Sequence, residues 1–226
     1  MVITSLTERR TAADTVFEHL YDQIISLGLM PGAKMSEAEV ADQFGISRQP
    51  VRDAFSRLGN MELLLIQPQK ATLVQKFSLS GIETARFIRL GVELEVARTA
   101  AQRWSAEWAD IFDKNLAEQE RAVAENDAKA FHSLDEEFHS MIAQLADQPA
   151  AFELILQKKA LVDRICVLSL KQGHEMHVLV DDHRMIFEAI STNDLAKLDV
   201  HMRKHLSRIE KTINKVRESH ADYFEA

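Results

Sequence analysis

Asp135 and His139 lie one helical turn apart in a segment of helical period, so both side chains leave the same face. His183 sits in the middle of a second such segment and His205 in a third. A carboxylate and three imidazoles projecting into one helical bundle suit a borderline divalent ion, Zn2+ first, with Ni2+ or Mn2+ as alternatives. Four protein ligands leave positions open on a five- or six-coordinate ion, where an organic acid's carboxylate could bind. The chain carries nine histidines, and spacing alone leaves His201, one turn before His205, an equal candidate. His174 and His177, near a helix start beside Gly173, are expected in solvent.

A second set of residues has the chemistry of base reading. Arg48 and Arg52 stand one turn apart at the head of a short helix opening at Ser47. The arginine fork matches guanine O6 and N7, and the head of a recognition helix is where such contacts are made. Ser47 and Gln49 are candidate phosphate or base contacts. Lys70, in the turn of an expected hairpin, could reach phosphate or the adjacent minor groove.

These residues need elements to position them. Val16, Leu20, Ile24 and Leu27 mark a first helix that Gly28 is expected to end. Ser36 and Glu39 read as a capping box opening a short helix that stops at Phe44-Gly45. The helix from Ser47 to about Leu58 completes a helix-turn-helix, and residues 63–66 and 72–74 read as two strands of a wing. From Ser80 onward six helices are expected, near 80–104, 106–125, 127–146, 150–171, 175–191 and 194–218. Ser80, Ser105 and Asp127 serve as N-caps, Pro149 falls near a first turn, and Asn193-Asp194 open the last helix. The fold class is thus mainly α: a winged helix-turn-helix over 1–75, a linker over 76–79, and an all-α antiparallel bundle over 80–226.

A net charge of −8 looks wrong for a nucleic-acid binder until it is divided. Residues 1–77 carry a net −1 and residues 78–226 a net −7, while 44–76 carry a local +3. Phosphate binding needs a basic face, not a basic chain. With 46% hydrophobic residues there is ample core, and seven glycines and four prolines argue for few loops. The single cysteine, Cys166, is set in an apolar run and reads as a small buried hydrophobe. No signal-like start and no bilayer-length apolar run appears, so a soluble, cytoplasmic protein is expected.

Residues 14–75 resemble the winged-helix domain of the GntR family of regulators. The matching words are Leu29-Met30-Pro31-Gly32, Ser36-Glu37-Ala38-Glu39-Val40-Ala41 and Phe44-Gly45-Ile46-Ser47-Arg48-Gln49-Pro50-Val51-Arg52. The resemblance gives Arg48 and Arg52 the role of reading an operator. The chain departs from the family pattern at Glu62, where glycine is usual, at Lys70-Ala71, where Arg-Gly is usual, and at Ala38, where some members carry arginine.

Residues 80–210 resemble the FCD effector domain of the FadR branch. The features are Arg89-Leu90-Gly91-Val92-Glu93 ahead of Ala97-Arg98-Thr99-Ala100-Ala101, Asp135 with His139, Asp182-His183-Arg184-Met185-Ile186, Asn193-Asp194 and His205-Leu206. The intervals of 44 residues from His139 to His183 and 22 to His205 fit the metal-binding members. The resemblance therefore selects His205 over His201. It also gives Arg89 an effector's carboxylate, against the plainer reading of an Arg89–Glu93 pair at i, i+4. Arg86 and Arg164 are secondary candidates. The helix count, with no extra leading helix, is closer to the VanR-like subgroup than to FadR.

The resemblance implies a homodimeric, non-catalytic transcription regulator, a repressor or an activator. It would bind a palindromic double-stranded operator under the control of a small organic acid held at a metal. Two other functions share part of this pattern. The metal itself could be the signal. A helical metalloenzyme would want two Glu-x-x-His pairs, whereas the sequence offers one, Glu136 with His139, and Glu136 should point away from the Asp135–His139 face.

Overall fold

The computed structural model describes residues 10–67, 70–170 and 176–225. Two compact units divide the chain, Met1–Lys76 and Phe77–Ala226.

In the first unit, α1 (Ala12–Ile25) opens on a full capping box: Thr11 Oγ1 accepts from the Asp14 amide and the Asp14 carboxylate accepts from the Thr11 amide. Its buried stripe is Val16, Leu20, Ile24 and Ile25. The helix ends at Ile25, short of the expected stop at Gly28. Leu27 takes the left-handed conformation, φ 61°, and the Leu29 amide closes onto the Gln23 carbonyl. Strand β1 (Lys34–Met35), not anticipated because two residues show no period, leads into α2 (Glu37–Phe44). Ser36 caps α2 by accepting from the Ala38 amide, and left-handed Gly45 ends it at φ 64°. After the turn comes α3 (Arg48–Asn60), which buries Val51, Ala54, Phe55 and Leu58.

The wing strands β2 (Leu64–Leu65) and β3 (Thr72–Val74) pair antiparallel, and β1 pairs with the other side of β3, giving the order β1-β3-β2. Glu62 enters β2 with φ 59°. The glycine usual here in the family has a conformational reason, and this chain places a side chain in that left-handed well at some cost.

The second unit is helical: α4 (Leu79–Gln102), α5 (Ala109–Ala124), α6 (Ala128–Leu145), α7 (Pro149–Leu170), α8 (Met176–Ser191), α9 (Leu195–Ser207) and α10 (Ile209–Ser219). Helix α4 packs on α7 and α9, α5 on α6 and α8, and α8 on α9. Their shared core includes Phe112, Leu116, Phe138, Ile186, Leu198 and Met202. Asn126, Asp147 and Asn193 turn the chain between helices with φ between 50° and 57°. Asparagine and aspartate tolerate this region better than other side chains, so the corners need little glycine.

Three boundaries differ from expectation. Ser78, not Ser80, caps α4 by accepting from the Gly81 amide. Ser105 precedes a 3-10 turn, Ala106–Trp108, before α5 begins. The helix expected over 194–218 is broken at Arg208, whose amide bonds the His205 carbonyl while its guanidinium reaches back to Asp182 on α8. Phe77 is buried, and its backbone pairs with Tyr223 and Glu225 near the chain's end. No described helix is long and apolar enough to cross a membrane.

Candidate nucleic-acid interface and metal centre

The solvent face of α3 carries Ser47, Arg48, Gln49 and Arg52, all exposed. Ser47 is the N-cap but makes no side-chain capping bond, so its hydroxyl is available beside the helix's free amides and positive dipole end. The Arg52 side chain is 60% exposed and rests 3.3 Å from Glu37, a surface pair weak enough to exchange for another anion. Gln49 donates to Asp53 at 2.8 Å. Arg57 on the same helix belongs instead to the fold, bonding Asp14 at 2.8 Å and stacking over Phe17 at 3.9 Å. Lys70 is exposed; wing positions 68 and 69 lie outside the described residues.

In the second unit, α6 supplies Asp135 and His139, α8 supplies His183 and α9 supplies His205. One ligand atom from each lies within 4.8 Å of the others. His139 Nε2 is 3.2 Å from His205 Nε2, and Asp135 Oδ1 is 3.4 Å from His183 Nε2 and 4.0 Å from His139 Nε2. The outward nitrogens meet a second ring of polar groups. His183 Nδ1 is 2.8 Å from Gln119 Oε1, His139 Nδ1 is 3.0 Å from Glu93 Oε2, and His205 Nδ1 is 3.9 Å from Asp182 Oδ2. Gln119 and Asp182 were not anticipated in this role, and Glu93 was expected only beside Arg89.

Gln119 decides the chemistry at His183. Its amide nitrogen donates to Asn115 at 2.7 Å, so its oxygen faces the imidazole and can only accept. The proton on His183 is therefore on Nδ1, and the buried Nε2 holds a lone pair with no hydrogen-bond partner. That lone pair faces the Asp135 carboxylate. Burial pushes the His183 pKa down against the pull of Asp135, and pushes that of His205 well down, so both rings are neutral. Burial opposes the Asp135 charge, but the Lys159 ammonium beside it holds its carboxyl well below the usual range. Imidazole nitrogens from three helices converging on a carboxylate, with His183 oriented from behind by Gln119, are the donor set a divalent cation requires. Neither His201 nor Glu136 belongs to the cluster. His177 is exposed, and His174 lies outside the described residues.

A cavity of about 480 Å3 opens beside the cluster, lined in part by Arg89, Asp135, His139, Lys159, Asp163 and His205. Arg89 is buried and bonds Glu93 through Nε at 2.7 Å, so the plainer i, i+4 pair does form, within the cavity wall. Arg86 pairs with Glu210. Cys166 also lines the cavity, and burial, reinforced by Asp163, pushes its thiol up to about 12. Lys159, unforeseen, is 3% exposed and bridges Asp135 at 3.3 Å and Asp163 at 3.0 Å. Its sequence signal was Lys159, Asp163 and Cys166 at helical spacing inside an apolar segment.

Residues 12–74 match the gntR family of bacterial regulatory proteins, and residues 85–208 match the FCD domain. The HTH-type transcriptional repressor RspR of Escherichia coli K12 is 31% identical over 223 residues, spanning 99% of this chain and 98% of that protein. The chain belongs to the GntR family. It is a DNA-binding regulator with an FCD effector domain, and not an enzyme. A transcriptional regulator from an unstable DNA locus of Streptomyces ambofaciens is 29% identical, over 96% of this chain and 92% of its own length. Among solved structures, E. coli McbR/YncC superposes with a TM-score of 0.77 at 19% identity, over 94% of this chain and 100% of that one. A GntR regulator from Rhodococcus sp. RHA1 gives 0.71 at 19% identity, over 89% and 97%. At such identities these structures speak for the fold of this GntR-family regulator alone.

Proposed function

We propose that this protein is a homodimeric repressor whose hold on a palindromic operator is set by a small carboxylate bound at a divalent metal in the FCD domain. Asp135, His139, His183 and His205 hold the ion, Zn2+ by preference with Ni2+ or Mn2+ as alternatives. Arg48 and Arg52 read base edges, with Ser47, Gln49 and Lys70 on phosphate or neighbouring groups. The 1–75 segment is the DNA-binding domain and 80–226 the effector and dimerisation domain. The observation that carries the reading is the orphaned, buried Nε2 of His183, aimed at Asp135 and fixed in its tautomer by Gln119.

When bound, the ion supplies a Lewis-acidic anchor for an anion. The chain does the rest. Gln119 orients His183 by a hydrogen bond, the Glu93 and Asp182 carboxylates stand 3.0 and 3.9 Å behind His139 and His205, and Arg89 keeps Glu93 ionised, its carboxyl held at about 2 against burial by Arg89 and His139. The Arg89 guanidinium is also the expected partner of the effector's carboxylate. Effector binding regulates only if one DNA-binding geometry of the dimer takes it better than the other. Repression rather than activation is supported by the E. coli relative described as a repressor. The VanR-like assignment is supported by α4 starting at Leu79 with no helix between it and β3, while the break at Arg208 makes the expected six helices seven among the described residues.

The test is operator binding by the purified full chain in chelator, with Zn2+ alone, and with Zn2+ plus small mono-, di- and tricarboxylates. A response only to metal plus acid supports the proposal. A response to metal alone supports the second reading, in which the ion is itself the signal. Identical binding in all arms would refute both.

A further inference from the structure

Lys159 is neither a candidate metal ligand nor part of the DNA interface, yet it is an ammonium buried to 3% exposure in a helical core. Such burial is costly unless the charge is both paired and hydrogen-bonded. An ammonium has three donors. One donates to Asp163 Oδ1 at 3.0 Å, and Asp135 Oδ2 lies 3.3 Å away as an ion partner, which leaves a further donor on a side chain that lines the cavity. The two oxygens of Asp135 divide their work: Oδ1 faces the imidazoles of His183 and His139, and Oδ2 faces Lys159. The ammonium thus stands one carboxylate's width from the point where the metal-ligating atoms converge, on the cavity side.

We propose that Lys159 is the anion-selecting residue of the effector cavity, its third N–H bonding a carboxylate whose other oxygen faces the metal centre. The inference rests on the metal-and-acid reading above and adds to it the group that discriminates a carboxylate from its neutral isosteres. The bond is charge-assisted in a low-dielectric wall, where a neutral amide oxygen is a markedly poorer acceptor. Asp163 is the positioning residue: it accepts from the ammonium at 3.0 Å and holds it in place beside Asp135.

The experiment loads the full chain with Co2+ and follows its visible spectrum during titration with acetate and, separately, acetamide, while chelator competition reports Co2+ affinity. Wild type is expected to respond to acetate at least tenfold more tightly than to acetamide. Lys159→Met is expected to bind Co2+ as tightly as wild type or more so, since a repelling charge beside Asp135 is gone, yet to bind acetate about tenfold or more weakly. Because Lys159→Met strands Asp163, the double variant Lys159→Met with Asp163→Asn is measured alongside, with the same expected pattern. Acetate binding within twofold of wild type in either variant overturns the role of Lys159. So does a parallel loss of Co2+ and acetate in both, which would mark a structural ion pair. A wild type that takes Co2+ but ignores acetate overturns this inference and leaves the metal centre standing, whereas failure to take Co2+ overturns the metal centre itself.

Discussion

At the scale of single residues, neighbours determine which charged groups serve function and which serve the fold. Arg52 and Arg57 lie five residues apart on α3. Arg57 is consumed by Asp14 and Phe17, whereas Arg52 keeps only an exposed pair with Glu37. Arg52→Ala is expected to weaken specific operator binding by about 1–3 kcal/mol, with circular dichroism and metal uptake unchanged; unaltered affinity in a gel-shift titration would count against the interface. Asp14 yields a pH prediction. Hydrogen bonds from Thr11, then the bond from Arg57, lower its pKa to about 2 from 3.8. A depressed carboxylate contributes stability that is present above the unfolded pKa and lost as pH falls through the folded one. The difference in melting temperature between wild type and Asp14→Asn should therefore be full at pH 5 and shrink between about pH 4 and 2. A difference that stays constant over that range would remove the capping box as its source.

At the scale of elements, the candidate metal centre is assembled by helices that approach from different parts of the chain. Helix α5 carries none of the four candidate ligands, yet its Asn115–Gln119 pair sets the tautomer of His183 on α8. Gln119→Leu is expected to keep the fold and lower Zn2+ affinity about 10- to 100-fold, the usual cost of losing such a partner; competition against a chromophoric chelator measures it. His183→Ala should abolish stoichiometric metal and, with it, any effector response of operator binding. Variants that still bind one equivalent of Zn2+ with wild-type affinity would show that the histidines are merely packed. The break between α9 and α10 is an element-scale effect of the same kind: Arg208 turns toward Asp182, the carboxylate behind His205.

At the scale of the molecule, the acidity is concentrated in the second compact unit, net −7 over residues 78–226 against −1 over 1–77, which is why a chain of net −8 can carry a locally basic stretch over 44–76. Metal bound only by the folded FCD domain must stabilise it by mass action, by about 2.7 kcal/mol at a free concentration 100 times Kd. Zn2+ addition should therefore raise the melting temperature of that unit and EDTA should reverse the rise, with the His183→Ala protein indifferent to both. Calorimetry that finds no metal-dependent transition in wild type would set the centre aside.

The order of helices, the helix-turn-helix and the wing were legible in the sequence because period, caps and turn residues act over a few positions, whereas the choice of His205 over His201 came from the family resemblance and not from spacing. Ser36, Asp127 and Asp194 cap the helices they were expected to cap. What escaped it joins residues far apart in the chain. Strand β1 exists only because β3 offers it a partner, and Gln119 matters only because α5 lies against α8. Lys159 finds Asp135 across the α6–α7 contact, 24 positions away. Local propensity is blind to such pairings; burial at a shared wall, where an unpaired charge or lone pair is costly, is what only the tertiary structure could decide.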